Sequence, residues 1–341
     1  MYTSFYRLKT KPFQLSPDPS FFYGSKGHKR AMAYLNYGLS LAEGFIIITG
    51  EVGAGKTMLV RNLFQHFGRE KIITAHLVST QLDADDTLRV VASGFGLDHN
   101  GLNKAAVLGK LESFLQSAKK QGKRVLLVVD EAQNLTPRAV EELRMLSNFQ
   151  LDNQPLIQSF LLGQPEFRHT LQSDELLQVR QRVIASYHLG PIAQDELRAY
   201  IEHRLATAGW LGDPQFLPEA YTRIFAFTGG IPRKINTLCD RLMVFGMLEE
   251  RHVFDEAMVN EVISDMEEEV THVSLPASTR PAPEAEAARA MTASGNELTK
   301  ADQALYLDSL FRLEKRLDKV EAALNRLFTI IDMAMVHPPR S

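Results

Sequence analysis

The chain has 341 residues, of which 45% are hydrophobic and 23% charged, and its formal net charge at pH 7 is −3. This length predicts two or three domains, and the small charge gives no global basis for binding nucleic acid or an anionic membrane. The single cysteine, Cys239, excludes an intrachain disulfide and a cysteine-based zinc site. Because no apolar stretch approaches the roughly 18 residues of a membrane span and the first residues lack the apolar core of a signal peptide, we expect a cytoplasmic protein.

The first part of the chain alternates between strand and helix patterns. Residues 1–24 are rich in aromatic residues and proline and predict a packed arm. Helical patterns follow over residues 25–41, 56–67, 84–95 and 104–121. Short apolar runs typical of buried strands cover residues 44–50, 71–78, 124–129, 156–162 and 183–188. This alternation predicts an α/β domain with a parallel sheet over residues 25–190.

A glycine-rich motif joins the first strand to the next helix. Its sequence, GEVGAGKT, matches the phosphate-binding pattern G-x-x-x-x-G-K-[ST] in the strand–loop–helix context that this pattern requires. Glycines let the backbone N–H groups curl around an anion. Lys56 then reaches the β- and γ-phosphates of ATP, and the Thr57 hydroxyl binds Mg²⁺. The predicted nucleotide-binding residues are Gly50, Glu51, Val52, Gly53, Ala54, Gly55, Lys56, Thr57 and Met58.

Two adjacent carboxylates end a later strand in the run VLLVVDEAQ, residues 125–133. Ligands of open α/β sheets bind at the carboxyl ends of the strands, where Asp130 and Glu131 emerge. We expect Asp130 to bind the Mg²⁺ shell and Glu131 to polarise a water molecule for attack on the γ-phosphate. An adjacent Asp-Glu pair is typical of hydrolytic motor-type NTPases.

Four more polar residues are candidates for catalysis. Gln164 follows the strand IQSFLLG and is placed to contact the attacking water or the γ-phosphate, although a capped turn is the alternative. Arg180 and Arg182 precede the last strand, where either could reach the γ-phosphate of a neighbouring subunit or form a surface salt bridge. Arg233 lies in the first turn of a later helix, after Pro232, and could contact the nucleotide from above.

The pattern changes after residue 190. Four helical segments, with no strand evident between them, predict a small all-α lid domain over residues 191–269. Residues 270–301 are rich in Ala, Pro, Ser, Thr and Glu and predict a flexible linker. Over residues 302–335, apolar side chains recur at heptad spacing and predict a coiled-coil helix, with an amphipathic helix docked on its own protein as the alternative. The heptad residues are Leu310, Leu313, Leu317, Val320, Leu324, Leu327 and Ile331.

Taken in order, these motifs resemble those of AAA+ ATPases. GEVGAGKT corresponds to Walker A, VLLVVDEAQ to Walker B, Gln164 to sensor 1 and GGIPRKIN to sensor 2. Over residues 1–265 the chain is most similar to the general secretion pathway protein A family, and within it to the secretion ATPases of exosortase (PEP-CTERM) and exopolysaccharide loci. The resemblance implies a P-loop core with strand order 5-1-4-3-2, a helical lid, ATP and Mg²⁺ as cofactors, and a homo-oligomer with arginine contacts between subunits. It also implies that the arm and residues 25–28 flank the adenine.

The sequence is therefore compatible with three functional hypotheses. The leading hypothesis is a cytoplasmic Mg²⁺-dependent ATPase that serves envelope export and meets protein partners through its coil, with peripheral association at the inner membrane left open. The second is a DNA-associated AAA+ regulator of the transposition type, although no basic stripe is visible. The third is a nucleotide-gated scaffold whose working surface is the C-terminal coil.

Overall fold

The computed structural model describes residues 1–66, 72–78 and 83–273. All of them belong to the first of two units into which the chain divides, Met1–Leu275. The predicted coiled-coil helix, and the predicted linker from residue 274 onward, lie outside the described residues. The fold is that of the first unit.

Within these ranges the chain forms helices and short strands in an alternating order. The helices are α1 (Tyr2–Phe5), α2 (Lys26–Leu41), α3 (Lys56–His66), α4 (Ala84–Gly94), α5 (Lys104–Lys120), α6 (Pro137–Leu146), α7 (Glu166–Gln172), α8 (Leu177–Arg180), α9 (Gln194–Thr207), α10 (Pro218–Thr228), α11 (Pro232–Leu248) and α12 (Glu256–Val273). The strands are β1 (Phe45–Gly50), β2 (Ile72–Val78), β3 (Arg124–Asp130), β4 (Gln150–Leu151), β5 (Gln154–Pro155), β6 (Ile157–Gly163), β7 (Val183–Leu189), β8 (Gln215–Phe216) and β9 (Val253–Phe254).

A five-stranded parallel sheet forms the centre of the unit. Its order is β2-β3-β6-β1-β7, and all four pairings are parallel. Counting only these five strands, this is the expected order 5-1-4-3-2, which is confirmed. Every residue of β1 and β6 is buried, as continuous apolar runs in a sheet covered on both faces require.

Helices cover both faces of the sheet. On one face, α4, α5 and α6 pack their apolar sides against the strands, with Leu111 and Val140 fully buried. On the other face, α2 and α3 do the same through Leu35 and Leu59. The predicted α/β fold with helices on both sides of a parallel sheet is therefore confirmed, and the carboxyl ends of the strands share one edge.

The helices α9–α12, which we call the C-terminal helical group, build a separate hydrophobic core. The N-terminal arm belongs to that core, because Tyr2, Tyr6 and Phe13 are buried in it. The arm also begins with the short helix α1, where the sequence predicted none. The expectation of no strand beyond residue 190 was wrong in detail, since β8 and β9 form a parallel pair. Strands of two residues are too short to show a period.

No helix among the described residues has the length and apolar character needed to span a bilayer.

Two helical glycines allow a test of this packing. A Cβ added at Gly246 in α11 would lie 2.4 Å from the Tyr6 hydroxyl and 2.6 Å from the Phe254 ring, so Gly246→Ala should separate the arm from the helical group. Overpacking of this kind typically costs about 1–3 kcal/mol, and we expect the Tm to fall by about 3–8 °C.

The matched control is Gly109→Ala in α5. This glycine is exposed and a Cβ there meets nothing within 4 Å, so alanine should raise the Tm by about 1–3 °C through helix propensity alone. A Gly246→Ala protein that melts at or above the wild-type temperature would contradict the described packing of the arm.

Candidate functional site

The glycine-rich loop leaves β1 at Gly50 and enters α3 at Lys56. Two of its residues, Gly53 and Gly55, have φ angles of +81° and +98°, which only glycine adopts without strain. Gly53 is also close-packed, since an added Cβ would lie 2.3 Å from the Arg233 Cβ. The loop therefore needs glycine both for its curl and for its contact with α11.

Lys56 lies inside this loop. Its Nζ donates to the carbonyl oxygens of Gly50 at 2.8 Å and Glu51 at 3.1 Å, and the residue is only 6% exposed. Burial lowers the pKa of the ammonium group, while the nearby carboxylates Glu131 and Asp130 oppose that shift. The positive charge thus lies at the N-terminus of a helix, a position suited to binding phosphate.

The next residue connects the loop to β3. The Thr57 hydroxyl donates to Asp130 Oδ2 at 2.6 Å, and Asp130 is 7% exposed. A hydroxyl oxygen and a carboxylate oxygen in contact are hard donors of the kind that Mg²⁺ prefers, and this ion is normally bound by few protein groups together with phosphates and water. No cluster of three or more His, Cys, Asp or Glu side chains suited to a metal occurs within the described ranges.

Glu131 is held by two amide side chains. Gln133 Nε2 donates to Glu131 Oε2 at 2.6 Å and Gln164 Nε2 donates to the same oxygen at 3.2 Å. The Gln164 N–H in turn donates to Gln133 Oε1 at 3.0 Å. Glu131 has a φ of +54°, an uncommon conformation for a residue other than glycine that occurs often at functional sites. The three side chains form one connected network.

Electrostatics keep this carboxylate charged. Burial raises the pKa of Glu131, but the hydrogen bonds from Gln133 and Gln164 and the charge of Lys56 together outweigh burial and leave the pKa below its usual value. An ionised carboxylate accepts hydrogen bonds at both oxygens, whereas a protonated one donates from one of them. Glu131 is therefore a charged hydrogen-bond acceptor at neutral pH.

Lys56, Thr57, Asp130 and Glu131 line a cavity of about 370 Å³, within the range of small-molecule sites. Gln133 and Gln164 do not line its wall and contact it only through Glu131. Its walls come from the arm between Gln14 and Tyr23, the loop from Val52 to Met58, the end of β3, and helices α9 and α11. Of the predicted binding residues, Gly50, Glu51 and Ala54 lie in the loop but not on the cavity wall. Arg233 lines the wall, and its backbone N–H donates to Gly53 O at 3.2 Å.

A buried arginine, which the sequence analysis missed, attaches the arm to α9. Arg204 Nε donates to Pro12 O at 2.7 Å and Nη2 donates to Gln14 O at 3.2 Å. The guanidinium also lies over the Phe21 ring, 5.1 Å from its centroid. The residue is 8% exposed. Because these partners lie about two hundred residues earlier in the chain, no local pattern could have indicated them.

Gln133 was missed for a different reason. It stands within the quoted run VLLVVDEAQ, but its spacing from Glu131 has no meaning until the short 3₁₀ turn Ala132–Asn134 brings its side chain back to the carboxylate. Its importance became visible only in three dimensions.

Arg180 and Arg182 lie apart from this cluster. They precede β7, and the β1–β7 register pairs Val183 with Phe45 at the start of β1, whereas the glycine-rich loop follows its end. Six strand residues separate the two edges by about 20 Å. Arg182 Nη1 donates to Ser147 Oγ at 2.7 Å, and Arg180 Nη1 donates to Gln172 O at 2.8 Å. Neither arginine lines the cavity of its own chain.

Sequence comparisons agree with this geometry. Residues 40–171 match the AAA domain family. General secretion pathway protein A of Aeromonas hydrophila is 38% identical over 255 residues, which make up 74% of this chain and 46% of that protein. An uncharacterized HTH-type transcriptional regulator of Methanocaldococcus jannaschii is 26% identical over 200 residues, 58% of this chain and 48% of that protein. The chain thus spans about half the length of the curated relatives it matches.

A solved structure supports the fold. The ORC2 protein of Aeropyrum pernix aligns with a TM-score of 0.58 at 16% identity, covering 75% of this chain and 72% of that one. At this identity the likeness concerns the fold alone. The glycine-rich loop, the carboxylate pair at the end of β3, the strand order and the matched AAA domain agree with one another. Residues 40–171 match the AAA domain family on the same segment that forms the loop and the carboxylate pair of this site, and the chain is similar to general secretion pathway protein A over 255 residues.

Proposed function

We propose that the chain binds Mg²⁺-ATP in the 370 Å³ cavity and hydrolyses it. The observation that carries the proposal is the contact of Thr57 with Asp130, which brings a phosphate-binding loop and an acidic strand end together. Lys56 and the N-terminus of α3 would bind the phosphates, and Thr57 and Asp130 would hold Mg²⁺. When bound, Mg²⁺ would neutralise charge on the β- and γ-phosphates.

Glu131 would act on the attacking water. Its carboxylate is ionised, and Gln133 and Gln164 both donate to Oε2. Among the described residues no hydrogen bond to Oε1 occurs, so this oxygen would accept the proton of the water. Gln164 would also contact the water or the γ-phosphate. Arg233 would contact the nucleotide from α11, whose N-terminus already touches the loop.

Two substitutions should separate binding from hydrolysis. Lys56→Ala should abolish ATP binding, because the ammonium group contacts phosphate in the ground state. Glu131→Gln should retain binding and lose turnover by about 10²–10⁴-fold, the usual contribution of a general base. Equilibrium binding of ATP and phosphate release measure the two effects, with Glu219→Gln, an exposed glutamate on α10, as the control. Normal turnover in Glu131→Gln would remove Glu131 from this role.

The network around Glu131 leads to a pH prediction. Gln133→Leu removes a donor that lowers the pKa of Glu131, so that pKa should rise. Because the active form is the carboxylate, turnover is lost as the pH falls through this pKa, and the acidic limb of the kcat–pH profile should move to higher pH. Gln194→Leu, at an exposed position in α9, should leave the profile in place. An unmoved limb in Gln133→Leu would show that Gln133 does not tune Glu131.

We further propose that active sites are completed by a second copy of the chain. Arg180 and Arg182 lie at the opposite edge of the sheet from the loop, so either one could reach phosphate only in a neighbouring subunit. An arginine in this role stabilises charge in the transition state. Arg182 is the first candidate and Arg180 the reserve.

Mixing experiments test this arrangement. Arg182→Ala should retain nucleotide and lose turnover by about 10³-fold or more. When Arg182→Ala is mixed with Lys56→Ala, each variant supplies an intact half of a shared site, and partial activity should return. A mixture of Arg180→Ala with Lys56→Ala is the matched comparison. If neither mixture restores activity, the arginines do not act between subunits.

We propose that ATP hydrolysis energises or regulates envelope export, either of exopolysaccharide or of exosortase-linked proteins. The support is the similarity to general secretion pathway protein A, whose name states a role in secretion. In this proposal the division of the chain is an arm (1–24), a nucleotide-binding domain (25–190), a lid (191–273), a linker (274–301) and a coil (302–335). The lid ends four residues later than the sequence predicted, because α12 continues through Val273. The coil would recruit protein partners, and the protein would be cytoplasmic or peripheral at the inner membrane.

The coil is open to a direct test. Deletion of residues 276–341 leaves the first unit whole and should preserve ATP binding while weakening assembly or partner recruitment. Burial of an aliphatic side chain contributes about 1.5–3 kcal/mol, so Leu317→Asp with Leu324→Asp should reproduce the loss. Sedimentation and pull-down from an export-competent host provide the measurement. A double variant that matches the wild type in both would mean that the coil is not an interaction module.

A DNA-associated regulator is the second candidate, favoured by the similarity to an HTH-type transcriptional regulator. ATP turnover with and without duplex DNA, measured at two stated salt concentrations, separates the candidates. Stimulation by DNA that weakens with salt would favour the regulator. A nucleotide-gated scaffold would instead show slow, DNA-independent turnover and nucleotide-dependent partner binding.

A further inference from the structure

A histidine outside the glycine-rich motif lies against the cavity. His28 is in the first turn of α2, where the Ser25 hydroxyl caps the helix by accepting from the His28 N–H at 3.2 Å. The His28 residue is 5% exposed, yet it lines the cavity wall. The edge of the ring packs against Phe22, 5.3 Å away between centroids. A polar ring is thus buried everywhere except toward the cavity.

The hydrogen bonds of Ser25 determine which ring nitrogen carries the proton. Ser25 Oγ lies 2.6 Å from His28 Nδ1, and among the hydrogen bonds of the described residues the buried hydroxyl proton has no other acceptor. Because a buried hydroxyl normally donates, Ser25 donates to Nδ1. A neutral imidazole that accepts at Nδ1 carries its proton on Nε2.

The Nε2–H group faces the phosphate-binding loop. A Cβ added at Gly55 would lie 3.1 Å from Nε2, so the nitrogen occupies the space beside the last glycine before α3. No hydrogen bond of Nε2 to a protein atom occurs within the described residues. Burial lowers the pKa of His28 to about 4, and the ring is therefore neutral at physiological pH.

We propose that His28 is a nucleotide-binding residue whose Nε2–H donates to an oxygen of the diphosphate that ATP and ADP share, and not to the adenine, which the resemblance assigned to residues 25–28. The proposal rests on the proposed ATP site. Phosphate oxygens are the acceptors expected at the N-terminus of α3. A donor that opens onto the cavity and has no protein partner among the described residues is available to such an acceptor. The positive charge there comes from Lys56, so a second group at this position can be a neutral donor.

The position of His28 gives this contact a second consequence. His28 follows directly from the arm, which packs into the C-terminal helical group through Tyr6 and Phe13. A bond from His28 to the diphosphate would therefore connect the arm and α2 to the nucleotide, independently of Arg233 on α11. ADP would keep this contact after hydrolysis.

Equilibrium binding of ADP and of a non-hydrolysable ATP analogue, both with Mg²⁺, tests the proposal in the full chain. His28→Leu keeps a similar volume but has no donor, and affinity for both nucleotides should fall by the same factor, on the order of tenfold. His28→Gln can place its amide N–H near the position of Nε2 and should stay within about threefold of the wild type. The melting temperatures of both variants establish that they fold.

Each outcome has a distinct meaning. Three results would each overturn the role assigned to His28. They are wild-type nucleotide affinity in His28→Leu, an equal loss of affinity in His28→Leu and His28→Gln, and a loss of affinity for the ATP analogue but not for ADP. If the wild-type chain binds neither nucleotide, the proposed function itself fails; Lys56→Ala serves as the non-binding reference.

A measurement on the wild-type chain avoids any dependence on the folding of variants. In a spectrum of ¹⁵N-labelled histidine, the His28 resonances, assigned with His28→Gln, should show a neutral ring protonated at Nε2. The Nε2 signal should shift when ADP is added. A ring protonated at Nδ1, or an Nε2 signal that ADP leaves unmoved, would contradict the proposal.

Discussion

The hydrogen bond of 2.6 Å between Thr57 and Asp130 is the contact on which the site depends. It joins the loop after β1 to the end of β3, two strands that are not neighbours, because β6 lies between them. The order β3-β6-β1 therefore places the acidic pair, Gln164 and the glycine-rich loop side by side at one edge. In a sheet with β1 next to β3, Gln164 could not lie between the acidic pair and the loop.

A second constraint is the burial of charge at this edge. Lys56, Asp130 and Glu131 are all wholly or partly buried, and an isolated charge in such a place would cost several kcal/mol. Lys56 meets the carbonyl oxygens of its own loop, Asp130 meets Thr57, and Glu131 meets two amides. The partners of Lys56 are neutral carbonyl groups. A phosphate is a stronger acceptor for an ammonium group and could take their place.

Local sequence predicted the parts of this site that depend on neighbours in the chain. The GEVGAGKT loop needs glycine at positive φ, and the apolar run of β3 needs burial on both faces. Both requirements can be recognised in the amino-acid sequence. The strand order came from the resemblance to AAA+ proteins, since spacing alone does not determine which strands pair. Gln133, Arg204 and the Nε2 of His28 became visible only in the structure, because their roles arise from a 3₁₀ turn or from contacts across the chain. The short pair β8–β9 has no sequence period to detect.

The arm connects the C-terminal helical group to the sheet and its helices beside one cavity. It is buried with the C-terminal helical group at Tyr6 and Phe13, is attached to α9 by Arg204, and leads into α2 beside the loop.

The central claim is that this cavity holds Mg²⁺-ATP on the loop after β1. A crystal structure with a non-hydrolysable ATP analogue and Mg²⁺ tests it most directly. We expect the phosphates at the N-terminus of α3 and Mg²⁺ at Thr57. We also expect the Lys56 ammonium group to have turned from Gly50 O toward a phosphate. Nucleotide bound elsewhere, or Lys56 still bonded to Gly50 O beside bound nucleotide, would contradict this claim.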